Sequence, residues 1–127
     1  MSAGGMGQIL ATPRSGDRLI VGMFQAGQVA MFDTRLRTRL GLMSVLTLGP
    51  VDSGPHNLVL SGDDSRLVVT DYFLNEDDAG IIHFEGDHKV HVVKVTSNEL
   101  TEDTRFKLDF NTAFPTGPAR PHGIAMK

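Results

Sequence analysis

The sequence repeats itself at an offset of 48 residues, and this internal repeat restricts the fold more than any other feature. Without a gap, Leu10 aligns with Leu58, and Phe24 aligns with Tyr72. Both copies have a short apolar segment, a turn rich in Gly, Asp and Ser, and a second apolar segment rich in β-branched residues. Repeats of roughly 20 to 50 residues are typical of proteins whose units bury their faces against neighbouring units. The repeat therefore predicts a modular fold.

Each copy continues with two further segments that are typical of strands. The third segments cover residues 27–33 and 88–95, and the fourth segments cover residues 42–49 and 104–110. These segments lack the 3.6-residue periodicity of amphipathic helices. Four strands in each unit of this length are typical of a β-propeller blade.

We therefore predict an all-β fold, namely a β-propeller fragment of about two four-stranded antiparallel blades plus the first strand of a third. The predicted blades span residues 5–50 and 54–112, and the further blade begins within 118–127, where "RPHGIAMK" aligns with "GPHNLVLS". An antiparallel sandwich or barrel of eight strands is the alternative, because its turns have similar spacing. Because two blades leave open faces, we expect missing propeller blades or self-association to cover them.

Composition excludes several classes of function. The chain of 127 residues has a net charge of −3 with acidic and basic residues mixed, so a nucleic-acid partner is not expected. The absence of cysteine excludes disulfides, thiolate metal sites and a cysteine nucleophile. No apolar run approaches the roughly 20 residues of a membrane span. The first residues lack the pattern of a secretory signal, so we expect a cytoplasmic protein, or a periplasmic one if an upstream signal precedes these residues.

Two histidines are the candidate metal ligands. His56 and His122 each follow a proline at equivalent positions of adjacent predicted blades, whereas Gln8 occupies that position in the first copy. The first strand of a blade is the innermost, so the two imidazoles are expected to converge toward the central channel. Neutral imidazole is a good ligand for copper and other late first-row metals. Two histidines do not complete a site, and the alternative is that each one only bonds the backbone of its turn.

Other polar residues fit ordinary structural positions better. His88 and His91 are three residues apart, which places them on opposite faces of one strand. The cluster "NEDD" in the insertion 74–87 has the oxygen ligands of a calcium site, but not the spacing of an EF-hand loop, and a solvated turn is favoured. The turns "RSGD" and "SGDD" are predicted to close hairpins. No Ser-His-Asp constellation or phosphate-binding glycine loop is present in the sequence.

The second copy and the tail resemble the C-terminal blades of the selenium-binding protein family, which includes the methanethiol oxidases. The segments that carry the resemblance are "GPHNLVLSGDDSRLVVTDYF", "LNEDDAGIIHFEGDHKVHVVKV" and "LDFNTAFPTGPARPHGIAMK". The resemblance implies a seven-bladed propeller. For the oxidase members it also implies copper-dependent oxidation of a small thiol, methanethiol, by oxygen to formaldehyde, hydrogen sulfide and hydrogen peroxide. On this hypothesis, His56 and His122 are ligands of the copper.

The sequence departs from that family in two respects. It is much shorter than a whole propeller, so the isolated fragment is expected to be inactive, and it lacks the cysteine-containing tail of the animal members. The pattern of a turn, a strand, an acidic turn and a second strand is shared with lactonase-like and YVTN-repeat propellers. A propeller of that class is therefore one alternative. A non-catalytic platform that binds proteins through the insertion 74–87 is another.

Overall fold

The computed structural model describes residues 10–35 and 38–124, which form β-strands, turns and irregular segments. Within these residues there is no helix that is long and apolar enough to span a membrane. The predicted all-β, propeller-like fragment is confirmed. The strands are β1 (Leu10–Ala11), β2 (Arg18–Met23), β3 (Gln28–Asp33), β4 (Gly41–Thr47), β5 (Pro55–Leu60), β6 (Arg66–Asp71), β7 (Phe73–Glu76), β8 (Ile82–Glu85), β9 (Lys89–Val95), β10 (Leu100–Glu102) and β11 (Leu108–Asp109).

The first copy of the repeat forms a four-stranded antiparallel sheet, which we call blade 1. Its strand order is β1-β2-β3-β4, so each strand pairs with the one that follows it. The turn "RSGD" between β1 and β2 contains Gly16 at a φ of 72°, as a tight hairpin requires. Residues 5–9 of the predicted blade lie outside the described part of the chain, as do Leu36 and Arg37.

The second copy forms a sheet with the order β10-β9-β6-β5, which we call blade 2, and β11 also pairs with β9. The insertion forms a separate hairpin, because among the described strands β7 pairs only with β8. The fourth strand differs from the predicted segment 104–110. A turn in which the Thr96 backbone N–H donates to the Glu99 carbonyl over 3.0 Å returns the chain early, so β10 pairs with β9 first. The second half of the predicted segment then contributes only the two residues of β11.

The two blades share one hydrophobic core. Strand alternation directs Ile20 and Met31 of blade 1 toward Leu67 and Val69 of blade 2, and all four side chains are fully buried. Polar contacts join the same faces, since the Leu100 backbone N–H donates to Ser44 Oγ over 3.1 Å. The blades therefore pack face to face, as neighbouring blades of a propeller do.

The linker between the blades, residues 48–54, is attached to the turn between β2 and β3. The Gly27 carbonyl accepts hydrogen bonds from the backbone N–H groups of Leu48 and Gly49, over 2.9 and 3.2 Å. At the other end of the linker, the Gly54 N–H donates to the Phe24 carbonyl over 3.1 Å. This attachment fixes the point at which blade 2 begins.

After β11 the chain passes along blade 2 without forming a further strand in the described residues. The Ala119 N–H donates to the Phe110 carbonyl over 2.9 Å, and the Thr70 hydroxyl donates to the His122 carbonyl over 3.4 Å. Residues 118–124 of the predicted further blade follow this irregular path, and residues 125–127 lie outside the described part of the chain. The tail is thereby placed against the end of β6.

Candidate functional site

The structure brings His56 and His122 together, and we call these two residues the histidine pair. The centroids of their rings are 5.1 Å apart, and the ring planes are tilted by 33°. The Tyr72 ring lies beside both, with centroid distances of 4.4 Å to His122 and 5.7 Å to His56. Their role as metal ligands stays a prediction.

Local backbone geometry positions His56 at the start of β5. Gly54 has a φ of 91°, and a Cβ at this position would lie 3.0 Å from the carbonyl carbon and oxygen of Tyr72. The Tyr72 N–H donates to the Gly54 carbonyl over 2.6 Å, so this close approach ties β5 to the end of β6. The pairing register shifts between Pro55 and Asn57, which leaves His56 in the irregular step beside Tyr72.

The environment of His56 favours its neutral form. Burial is the main cause that lowers the pKa of His56, and the nearby His122 imidazole lowers it further. The Nδ1 atom of His56 is buried and has no hydrogen-bond partner among the described residues. The His122 side chain is exposed. One imidazole is thus held neutral with a buried free nitrogen, and the second lies at the surface beside it.

A second group of ionisable side chains lies on the face of blade 2 that packs against blade 1. His91 lies between two carboxylates, with Nε2 2.7 Å from Asp71 Oδ2 and Nδ1 2.8 Å from Glu102 Oε1. Donor atoms of Asp71, Asp87 and His91 all lie within 4.8 Å of one another. We call Asp71, Asp87, His91 and Glu102 the carboxylate–histidine cluster.

Burial and an excess of carboxylates determine the electrostatics of the cluster. Burial raises the pKa of Asp71, and the neighbouring Asp87 raises it further, against the effect of His91. Burial opposes protonation of His91, but the contacts with Asp71 and Glu102 outweigh it and raise the pKa of His91. Several polar atoms nearby have no hydrogen-bond partner among the described residues, namely Asp71 Oδ1, both oxygens of Asp87 and Ser53 Oγ.

The sequence predicts an ordinary strand position for His91 and does not indicate the cluster. Strand alternation does place His91 on the same face as Val93, as predicted, but this face is the buried one. Asp71 follows the fully buried Leu67 and Val69 at intervals of two residues. This alternation in the sequence already indicates that Asp71 lies on the core face of β6. His88 lies just before β9, and its Nδ1 is 3.0 Å from Asn111 Oδ1.

The acidic insertion forms a capped hairpin. Asp77 Oδ1 accepts hydrogen bonds from the backbone N–H groups of Ala79 and Ile81, both over 2.9 Å, and Asp77 Oδ2 lies 2.7 Å from His83 Nε2. These contacts agree with a structural turn for "NEDD". The base of the hairpin reaches the linker, because the Asp87 N–H donates to the Ser53 carbonyl over 3.0 Å.

Comparison with known proteins identifies a similar fold. No protein-family model matches the sequence, and none of the curated proteins matches it. Among solved structures, the fold is similar to the X-ray structure of a hypothetical selenium-binding protein from Sulfolobus tokodaii, with a TM-score of 0.64. The similarity is one of fold. The identity is 22%, and the match covers 89% of this chain but 26% of the other, so this chain spans about a quarter of that protein's length.

Proposed function

We propose that this chain forms two blades of a selenium-binding-protein-like propeller and that its histidine pair contributes ligands to a copper site for thiol oxidation. The observation that carries the proposal is the convergence of His56 and His122, whose rings lie 5.1 Å apart although the residues are 66 positions apart in the chain. The similar structure shares the fold with this chain, and the chemistry of the His56 and His122 side chains supports the proposed thiol oxidation.

The histidine pair fits copper in its donor chemistry. Imidazole nitrogen suits copper, which binds a given set of such ligands more tightly than other divalent first-row metals do. A metal ligand must be a neutral imidazole, and burial favours that form of His56. Its buried Nδ1 lacks a partner among the described residues, so a metal ion would satisfy it. Further ligands would come from other blades of the same propeller.

The proposed reaction converts methanethiol, oxygen and water into formaldehyde, hydrogen sulfide and hydrogen peroxide. When bound, copper supplies the one-electron redox chemistry of such a reaction. The residues of this chain hold and orient the site. Tyr72 packs against both imidazoles and restricts their rotation, and the hydrogen bond from Thr70 holds the backbone of His122 in place. The half-buried position of His56 limits the access of water to one side of the pair.

Copper binding tests the proposal in this chain. We expect His56→Ala and His122→Ala each to weaken Cu²⁺ binding by about ten-fold or more, because each removes one imidazole ligand. Equilibrium dialysis against Cu²⁺ measures the effect, in an Asp87→Asn background that removes one carboxylate of the carboxylate–histidine cluster and so weakens competing binding there. His83→Ala is the matched control, because His83 is an exposed histidine in a pair with Asp77.

The activity is tested in the complete propeller that contains these blades. Release of sulfide from methanethiol is expected to fall together with copper content when His56 or His122 is replaced, and to persist in the His83→Ala variant. Retention of both copper and sulfide release in the His56→Ala and His122→Ala variants would overturn the assignment of ligands. Sulfide release that falls while copper is retained would assign the pair a role other than metal binding.

We also propose that a further blade covers the free face of blade 1. Strand alternation directs one set of side chains of blade 1 away from blade 2. Three apolar residues of this face, Leu10, Leu42 and Val45, are 50%, 61% and 45% exposed. Since the similar structure is more than three times as long as this chain, other blades of the same propeller are the proposed partners.

The isolated chain is therefore expected to self-associate through this face, because an exposed apolar blade surface favours pairing with a second copy. Light scattering after size-exclusion chromatography should report a dimer or a larger species. Leu42→Glu should shift the population toward the monomer, whereas Leu74→Glu, at an exposed position of the insertion hairpin, should not. A chain that is monomeric at all concentrations would contradict an open blade face.

A further inference from the structure

We propose that the carboxylate–histidine cluster is a second metal site. It binds a divalent transition-metal cation such as Zn²⁺ between the two blades. The proposed ligands are Asp71, Asp87 and Nε2 of His91. Because the site lies on the face of blade 2 that packs against blade 1, the cation would fasten the insertion hairpin and the linker to the shared core. This proposal is independent of the histidine pair and of the proposed oxidase activity.

The three donor groups come together from distant parts of the chain. Asp71 ends β6, Asp87 follows the insertion hairpin, and His91 lies in β9. Their donor atoms lie within 4.8 Å of one another. Zinc binds histidine nitrogen and carboxylate oxygen at about 2.0–2.2 Å in tetrahedral geometry, so a shared ion would hold these atoms about 3.3–3.6 Å apart. The side chains would have to move together by up to about 1.5 Å to complete the site.

The second nitrogen of His91 has the contact that is usual for a metal ligand. Metal-binding histidines generally donate their other ring N–H to a carboxylate or a carbonyl, which fixes the tautomer and the ring orientation. In this structure, His91 Nδ1 lies 2.8 Å from Glu102 Oε1. His91 Nε2 lies 2.7 Å from Asp71 Oδ2, so a cation would replace this hydrogen bond and displace the Nε2 proton. Glu102 would act as a positioning residue for the ligand.

Buried polar atoms without a hydrogen-bond partner support a cation-binding site. Asp71 is fully buried and Ser53 is 2% exposed, yet Asp71 Oδ1 and Ser53 Oγ have no hydrogen-bond partner among the described residues. Both oxygens of Asp87 are also buried without one. Buried carboxylates generally require pairing, and here the buried Asp71, the buried oxygens of Asp87 and the partly exposed Glu102 share one imidazole. A divalent cation would balance this charge and satisfy the free oxygens at once.

The cluster has a glycine on one side and an open cavity on the other. A Cβ at Gly49 would lie 2.8 Å from Ser53 Oγ and 3.0 Å from Asp87 Oδ2, so glycine keeps the space between these two groups open. On the other side, His91 and Glu102 line an open cavity of about 490 Å³ that also contacts Lys89. The cavity therefore reaches the Glu102 side of the cluster from solvent without separation of the blades.

Zinc binding by the metal-stripped chain tests this proposal. The experiment uses the His56→Ala/His122→Ala double variant, so that the histidine pair does not contribute, and measures bound Zn²⁺ and Mn²⁺ by equilibrium dialysis and mass spectrometry. One equivalent of Zn²⁺ is expected per chain. Asp87→Asn should weaken binding by about ten-fold or more, and Glu102→Gln by about 10- to 100-fold. Asp77→Asn, in the exposed pair with His83, is the matched control and should not change binding.

Circular dichroism verifies that each variant is folded, and Glu102→Gln serves as the second variant because its side chain is 28% exposed and outside the proposed ligand set. A folded background chain that binds neither Zn²⁺ nor Mn²⁺ stoichiometrically would overturn the proposal and indicate that protons, not a cation, balance the cluster. Equal binding by the Asp87→Asn, Glu102→Gln and Asp77→Asn variants would also overturn it. Neither result would affect the copper proposal, because the background lacks the histidine pair.

Discussion

The Gly27→Ala variant is expected to lose roughly 2–4 kcal/mol of unfolding free energy, because two penalties combine at this position. Gly27 has a φ of 69°, a conformation that costs residues with a Cβ about 1–2 kcal/mol. The added Cβ would also lie 2.3 Å from the Pro50 carbonyl oxygen and 2.7 Å from Ser53 Oγ. The linker would have to move away from the turn that holds it. Urea unfolding followed by circular dichroism measures the loss.

Gly16→Ala separates the two penalties. Gly16 has a similar φ of 72°, but no atom of the described residues lies within 4 Å of the position of its added Cβ. This variant should therefore lose only the conformational part, about 1–2 kcal/mol. The difference between the two variants reports the close contact between the β2–β3 turn and the linker. Equal losses would show that the linker does not depend on this contact.

The Ile20→Ala variant is expected to lose about 2–5 kcal/mol, because it leaves a cavity in the core that the blades share. Ile20 is fully buried in one cluster with Leu67, Val69 and Val93 of blade 2. Both blades should therefore unfold in one transition, at a lower urea concentration than in the wild type. Leu42→Ala, at a position of blade 1 that is 61% exposed, should change stability by less than about 0.5 kcal/mol.

The outcome of this experiment distinguishes one shared core from two separate blades. Two transitions, of which Ile20→Ala shifts only one, would contradict a shared core. A loss no larger than that of Leu42→Ala would place Ile20 outside the core. Measurements at several protein concentrations separate unfolding from any self-association through the free face of blade 1.

The repeat predicted the inner part of each blade well, because this part depends on local pattern. Strand alternation and turn residues determine the hairpins formed by β1 with β2 and by β5 with β6, and both were expected. The proximity of His56 and His122 also follows from their equivalent positions in the repeat. The outer edge of blade 2 was less predictable. The tight turn at Thr96 set the register of β10, whereas the apolar segment 104–110 suggested a later strand.

The carboxylate–histidine cluster could not be predicted from the sequence alone. Its members belong to four separate segments, and only the packing of the insertion base and of β10 against β9 brings them together. The alternation of Leu67, Val69 and Asp71 did contain a signal, because it placed a carboxylate on a face that is otherwise apolar. A charged residue in phase with core residues is therefore a useful indication of a buried polar site.

Pulsed electron paramagnetic resonance of the Cu²⁺-loaded chain tests the central claim most directly, since it detects imidazole nitrogens coupled to the copper. In the Asp87→Asn background, we expect the signal of two coupled imidazoles. One should remain in His56→Ala or His122→Ala, none should remain in the double variant, and His83→Ala should leave both. Two coupled imidazoles in the double variant, or none in the chain that retains His56 and His122, would contradict the claim that this pair binds copper.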